Sequence, residues 1–439
     1  MARMLKDSGI EILERIPSEW NTCRTKDIFR QAVGKPNRVA TKYVGLEHVS
    51  GWTGIATAID LKDATVESAQ HIQAGTICFS KLRPYLAKAF VAQTDLLCTG
   101  ELLGMRALLT VVPRYALYWL LSHRFITAIN DAVAGTKMPR VDWATLSEMP
   151  FPLPSIREQR RIAAWLDIQT GRIDKRLVLL GKKRELLGNL RISVISEAVC
   201  LGIDSQAAMR DSGNTDIGVV PKHWQVIRLK DLALKIGSGK TPLGGGSVYS
   251  EAGITFLRSQ NVWDDGLRLD DVVFISEEID RDMKASRVKS KDILLNITGA
   301  SIGRTALVPE AFPRANVSQH VCIVRLRDTG LANYVVLALL ARSTQRQIAV
   351  EQVGAARDGL NFEQIGRLVT PFSLNADERQ KIVELVMAKV SKINQQIRLL
   401  DLLEQLIKQQ RKAIIHDAVT GKIDLFAYAP PQPQEAVAA

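Results

Sequence analysis

The chain runs to 439 residues, enough for two to four domains that each bury a core. With 46% hydrophobic and 24% charged residues, it falls outside the disordered and collagen-like classes. A formal net charge of +12 points to a polyanionic partner, without by itself separating nucleic acid from a membrane surface or an acidic protein.

The opening segment, MARMLKDSGIE, lacks the apolar stretch of a signal peptide, so a cytoplasmic protein is expected. Residues 1–155 read as an α+β domain. It has short β-like runs such as Gly75–Ser80, clusters of turn residues, and one short apolar helix near Tyr115–Leu121. Residues 156–208 read as a long helix in which Leu166, Ile173, Leu180, Leu187, Val194 and Leu201 fall seven apart. Ile162, Leu177 and Ala198 add half-heptad positions. Gly171, Gly181 and Gly188 each weaken this helix by about 1 kcal/mol against Ala, so packing must sustain it. Residues 209–374 return to the α+β pattern, with β-like runs at Ile293–Thr298 and Val321–Leu326. Residues 375–426 form a second heptad helix through Val386, Ile393, Leu400, Ile407 and Ile414, and the Pro-rich residues 427–439 are expected to be disordered. The apolar runs at Tyr115–Leu121 and Tyr334–Ala341 are too short to span a bilayer, so no membrane partner is expected.

The pattern is a repeat. KDSG at Lys6–Gly9 returns as RDSG at Arg210–Gly213, and the same offset of 204 brings Pro17 onto Pro221 and Trp20 onto Trp224. The offset grows to about 219, where Arg114–Leu121 meets Asn333–Leu340 and Gly135 meets Gly354. It settles at 220, where Glu158–Leu166 meets Glu378–Val386 and Glu197–Asp204 meets Asp417–Asp424. Most of the drift is expected from one loop, about a dozen extra residues near the Gly-rich Gly237–Ser247. The expected fold is therefore α+β, with two globular domains joined by two long antiparallel helices in a coiled coil around a pseudo-two-fold axis. About 45 residues at ~1.5 Å each would make a rod of roughly 65 Å, near two turns of B-DNA. The segment Leu5–Gly9 should lie near the C-terminal VTGKID, as Met209–Gly213 should lie near VCLGID.

This layout resembles the specificity subunits of type I restriction–modification systems. The residues that carry the resemblance are KDSG with IPSEW, RDSG with VPKHW, SKLRPYLAKA (Ser80–Ala89), GKTP (Gly239–Pro242), FPLPSIREQRRIA (Phe151–Ala163) and AVTGKID (Ala418–Asp424). The resemblance implies two target-recognition domains, each reading one half of a bipartite, asymmetric site in double-stranded DNA, with the helices fixing the gap. It also implies two methyltransferase subunits that use S-adenosylmethionine to methylate an adenine in each half. Two motor-nuclease subunits working with ATP and Mg could join them, and this chain itself would hold no cofactor.

Motifs that would carry chemistry are missing. GSGKT at Gly237–Thr241 approaches the phosphate-loop pattern G-x-x-x-x-G-K-[ST], but Leu234 stands where the first glycine is needed. Asp60-Leu61-Lys62 lacks the preceding acidic residue that a metal-dependent nuclease requires. Neither an N/D-P-P-Y/F adenine pocket nor an F-x-G-x-G loop occurs. Five cysteines without a C-x-x-C pair, and six histidines without an H-x-x-x-H pair, suggest neither disulfides nor zinc. No catalytic or metal residues are assigned. Two rivals stay open: an autonomous methyltransferase or nuclease with recognition elements, and a non-enzymatic coiled-coil scaffold.

Base reading needs Arg or Lys on guanine edges and Asn or Gln on adenine, with further cations on phosphates. The candidates are Lys81, Arg83, Lys88, Lys137 and Arg140 in the first domain. In the second they are Lys240, Arg258, Gln260, Asn261, Arg304 and Arg357, with Lys88 aligning to Arg304. The run Lys182-Lys183-Arg184 reads mainly as a solvated helix face. Trp20, Trp224, Trp143 and Phe362 pair across the repeat and are expected in cores, while Glu158 and Glu378 are expected to cap the helices.

Overall fold

A computed structural model describes residues 3–32, 40–63, 69–133, 139–352 and 359–429. The chain is a mixture of helix and strand, divided into two compact units: Met1–Leu180 with Leu402–Ala439, and Gly181–Asp401. Each unit combines one globular part with a portion of each long helix.

In the first unit, Leu5–Asp7 pairs antiparallel with Arg15–Pro17, and Asn21–Arg24 with Pro150–Leu153. An antiparallel sheet follows in the order Ala89–Val91, Ile77–Ser80, Leu102–Ala107 and Phe29–Ala32. A second sheet contains Lys42–Val44 and Leu96–Thr99 as parallel neighbours. Side-chain alternation explains the layering. Ile77 and Phe79 enter the core that holds Tyr115 and Trp119, whereas Cys78 enters the core with Val44 and Ile72. The strand is covered on both faces, which is why it reads as a continuous apolar run.

Where one short helix was expected, three form: Pro113–Leu120, His123–Asp131 and Trp143–Glu148. Proline in the first turn starts the first of them. The Asp142 carboxylate accepts from the Thr145 amide at 2.8 Å and caps the third. Helices this short have little stability of their own and rest on the core beneath them.

The second unit repeats these elements. Met209–Asp211 pairs with Val219–Pro221, at the offset of 204, and Gln225–Arg228 with Val369–Phe372. Its antiparallel sheet has the same order: Thr305–Leu307, Ile293–Asn296, Val321–Leu326 and Ala233–Ser238. Ile293 and Leu295 face one core and Leu294 the other. Matching registers show how the offset drifts. Val44 and Leu257, 213 apart, hold equivalent places in the parallel pair. Ile77 and Ile293 are 216 apart, Met105 and Val324 219 apart. The drift is thus nine residues between Phe29 and Val44, near the Gly-rich segment, three more by Ile77, three by Met105 and one by the helices. Most of it does arise before Ile77, but not all in one loop. In the Gly-rich segment, Gly239 lies against the Ala315–Val317 strand, and a Cβ on it would stand 1.6 Å from the Val317 carbonyl oxygen. This glycine is required by close backbone approach rather than by phosphate binding or flexibility.

The long helices run Ile156–Leu201 and Ala376–Val419. Each ends at a left-handed glycine, Gly202 (φ +76°) or Gly421 (φ +74°), as helix C-termini commonly do. In the first unit, Leu166, Ile173 and Ile407 are buried and Leu180 and Ile414 half-buried. In the second, Val386, Ile393 and Leu400 are buried and Leu187 and Val194 half-buried. Leu201 departs from the heptad expectation: it is the last helical residue and is exposed. Within the second unit, Arg184 meets Asp401 at 3.1 Å and Arg191 meets Asn394 at 3.3 Å. Seven residues forward on one helix are matched by seven back on the other, which is antiparallel packing. In the first unit Asp174 and Arg411 pair at 3.3 Å. Lys182 and Lys183 are exposed.

The expected closure of each unit is present. Gly421 stands against Pro17 and Trp20, and Gly202 against Pro221 and Trp224. Glu158 and Glu378 do more than cap. The Trp20 indole N–H donates to Glu158 at 2.9 Å and the Trp224 indole N–H to Glu378 at 3.1 Å, so each repeated tryptophan is fastened to a helix start. Both tryptophans are 1% exposed. Phe362, expected in a core, is exposed at the first turn of Phe362–Arg367, where Asn361 provides the cap; Trp143 is half-buried against the core.

Candidate nucleic-acid interface

In the first unit, the motif Ser80–Ala89 forms a tight loop between two strands of the antiparallel sheet. The Ser80 amide donates to the Lys88 carbonyl at 2.9 Å and closes its neck. Within it, Pro84–Leu86 forms a 3₁₀ turn flanked by two non-glycine residues in the left-handed region, Arg83 (φ +49°) and Ala87 (φ +47°). Each such residue costs on the order of 1–2 kcal/mol and persists only when its surroundings over-determine it. Those surroundings are visible. The Arg83 amide donates to the Pro139 carbonyl at 3.0 Å, the Val141 amide to the Lys81 carbonyl at 2.8 Å, and the Trp52 amide to the Ala87 carbonyl at 2.9 Å. Gly51 is pressed so closely that a Cβ would lie 2.4 Å from the Leu86 carbonyl oxygen.

Four candidate cations gather on this frame. Leu82 forms a β-bridge with Arg140, placing the Arg83 and Arg140 backbones side by side. Arg140 pairs with Glu101 at 3.0 Å, and the Lys81 ammonium donates to the Gly100 carbonyl. Lys88 donates to the Leu46 carbonyl at 2.7 Å, so it also braces the loop. Arg83 is exposed, with the exposed Tyr85 two residues on. Lys137 lies outside the described residues.

The second unit builds its counterpart around Gly299–Ser301, again a 3₁₀ turn, in the loop between Asn296 and Arg304. The Asn296 amide donates to the Arg304 carbonyl at 2.9 Å, repeating the Ser80–Lys88 closure. Trp263 separates two guanidinium groups, Arg268 at 3.8 Å and Arg304 at 3.9 Å from its ring centroid. Arg258 lies over Tyr249 at 5.8 Å and donates to the Asp271 carbonyl at 2.9 Å. Gln260 is exposed and hydrogen-bonded to the Asp271 carboxylate. Lys240 is exposed and follows Gly239, which packs against Val317 of the strand neighbouring Leu257. Arg357 lies outside the described residues.

Asn261 differs from the other candidates. It is 0% exposed, its amide donates to the Arg268 carbonyl and the Asp271 carboxylate, and its side-chain oxygen accepts from the Arg258 amide. It holds the loop together and has no free edge to present to a base. Likewise, buried Asp280 binds Arg287, Arg314 and Asn316, and Asp292 binds Arg325, so several arginines of this unit are structural.

The sequence reading passed over Trp52, Trp263 and Arg268, because hairpin tips with aromatic residues show no periodicity. It also passed over Arg191 and Arg411, although their separation of 220 was a usable signal. Among the described residues, no group of three or more His, Cys, Asp or Glu side chains is placed to hold a metal ion. Among the described residues, no helix is long and apolar enough to cross a membrane.

Residues 221–404 match the family described as the type I restriction modification DNA specificity domain. The specificity subunit of type I restriction enzyme MjaIX from Methanocaldococcus jannaschii is 23% identical over 436 residues, covering 93% of this chain and 94% of that one. The EcoDI specificity subunit from Escherichia coli is 26% identical over 166 residues, so that match spans only 36% of each chain. A solved chain from work on complex assembly and conformational transition of the type I R-M system shares the fold, with a TM-score of 0.66. Its identity is 18%, over 93% of this chain and 99% of that one. Over residues 221–404 the chain is thus similar in sequence to type I restriction–modification specificity subunits, and over most of its length it shares the fold of a chain solved from such a system.

Proposed function

We propose that the chain is the non-catalytic DNA-recognition subunit of a type I restriction–modification complex. Residues 1–155 and 209–374 act as two target-recognition domains, each reading one half of a bipartite, asymmetric site in double-stranded DNA. The helical regions 156–208 and 375–426 form an antiparallel coiled coil that sets the gap between the halves, followed by the tail 427–439. Two methyltransferase subunits, carrying S-adenosylmethionine, bind the helical regions and methylate an adenine in each half. Where motor-nuclease subunits join, they bring ATP and Mg. The subunit acts in the cytoplasm.

One observation carries this reading: two units of the same sheet order present the same kind of loop, Ser80–Lys88 and Asn296–Arg304, with unlike side chains. A common frame with divergent polar tips suits two different half-sequences. Of the candidate contacts, Arg83, Arg140, Lys240, Gln260 and Arg304 are the strongest, because each is exposed or half-exposed on or beside these loops.

The test is domain exchange. The chain is co-expressed with its methyltransferase partner, and modified sites are mapped by single-molecule sequencing. Replacing residues 1–155 with the equivalent domain of a relative should alter one half of the methylated site and leave the other. A change in both halves, or in neither, overturns the reading.

A further inference from the structure

We infer that Arg411 and Arg191, at equivalent positions on the two long helices, are positioning residues that tether each recognition loop to the helices of its own unit. The inference rests on the functional reading above for its DNA consequence and on geometry alone for the tether.

In the first unit, Arg411 is only 7% exposed although it carries a fixed charge. Its Nε donates to the Asp174 carboxylate at 3.3 Å, and its Nη1 donates to the Trp52 carbonyl at the tip of the hairpin Val49–Ala56. On the other side of the same residue, the Trp52 amide donates to the Ala87 carbonyl at 2.9 Å. The connection thus passes from a helix, through one peptide of a hairpin, to the strained turn beside Arg83 and Tyr85. Trp52 is itself in the left-handed region (φ +67°), and Lys412 lies 4.6 Å from its ring.

In the second unit, Arg191 takes the place of Arg411, and Asn394 the place of Asp174, each 220 residues away. Arg191 donates to Asn394 at 3.3 Å and pairs with Asp264 at 3.5 Å, at the tip of the hairpin Val262–Leu267. Asp264 in turn accepts from the Thr305 amide at 3.2 Å, next to Arg304. A side-chain carboxylate here does what the Trp52 peptide does in the first unit. The hairpin sequences share nothing obvious, yet the path from arginine to loop is the same.

Apolar packing does not replace this tether. A cavity of about 380 Å³ lies beside Trp52, Leu177 and Arg411, and one of about 300 Å³ beside Asp264, Ile195 and Arg191. A guanidinium bordering open space, buried as in Arg411 or half-buried as in Arg191, holds its position through hydrogen bonds, and its planar fork can satisfy two acceptors at once. A lysine keeps the charge but not the fork.

The test uses the full chain and its methyltransferase complex with Arg411→Ala, Arg411→Lys, Arg191→Ala and Arg191→Lys. In the full chain, hydrogen exchange at the Trp52 amide should rise at least tenfold in both Arg411 variants, with Thr305 unchanged, and the converse should hold for the Arg191 variants. In the complex, Arg411 variants should lower methylation or relax sequence choice in the first half-site tenfold or more, with the second half within twofold. The lysine variants guard against a simple fold defect, because they keep charge and helix; recovery by lysine would make the role electrostatic and overturn the positioning claim. Unchanged exchange at Trp52 and Thr305 would overturn the tether itself. Equal losses in both half-sites would reduce it to general stability. A wild-type complex that methylates no split site would sink the functional reading and the DNA half of this inference, while the exchange measurement still decides the tether.

Discussion

Trp224→Phe tests whether the repeated tryptophan is a fastener or only a core ring. The indole is 1% exposed and its N–H donates to the Glu378 carboxylate, which also accepts from Ser373 and His223. Removing the donor forfeits a hydrogen bond to a charged group, about 1.5–3 kcal/mol, and the smaller ring leaves a void that adds about 1 kcal/mol. The expected loss is therefore about 3 kcal/mol at pH 7. Burial pushes the Glu378 carboxyl up, but the donors from Ser373, His223 and Trp224 outweigh it, and the net shift is downward. A carboxylate depressed in the folded state contributes stability above its unfolded value, and that contribution is lost as pH falls through the folded value. The gap between wild type and variant should accordingly be full at pH 7 and narrow on acidification below about 4. Urea unfolding followed by circular dichroism at 222 nm, fitted with a transition for each unit, measures it. Combined with Glu378→Gln, the double variant should lose less than the sum of the single losses. A loss under about 1 kcal/mol, additive with Glu378→Gln and independent of pH, would refute the reasoning.

Three further outcomes are expected. Gly239→Ala drives a Cβ to 1.6 Å from the Val317 carbonyl, so the second unit should unfold several kcal/mol more easily in a thermal or urea melt, with the first unit unchanged. Gly188→Ala meets nothing within 4 Å and should stabilise its helix by about 0.5–1 kcal/mol, visible as a higher urea midpoint. Arg83→Ala and Arg304→Ala should each weaken DNA binding of the methyltransferase complex and reduce the slope of log affinity against log salt by about 1 if the side chain meets phosphate. An unchanged slope with lost discrimination at one base pair would instead identify a base-reading arginine.

Much of the architecture was legible in the chain because its signals are periodic or duplicated. Heptad spacing marks both long helices, and the repeat of KDSG, tryptophan and the helix-opening glutamate marks two copies of one unit. Such patterns follow from burial, which acts on every third, fourth or seventh residue alike. The short helices after Leu120 were not legible, since their stability comes from the core under them. Nor was the exposure of Leu201, because periodicity cannot tell the last turn of a helix from its middle, or that of Phe362, because pairing with Trp143 across the repeat does not fix how deeply a first-turn residue is buried.

For the candidate interface, composition identified polar residues but not their duties. Asn261 and Arg258 look like base readers in a list of residue types, yet the fold turns one inward entirely and ties the other to Asp271. The sequence by itself determined a doubled α+β unit with paired heptad helices, because local pattern and burial suffice for that. Only tertiary structure decided that the Trp52 peptide and the Asp264 carboxylate perform the same task, joining equivalent arginines to the loops beside Arg83 and Arg304. A hydrogen bond depends on where two groups meet in space, and unlike residues can fill the same position along it.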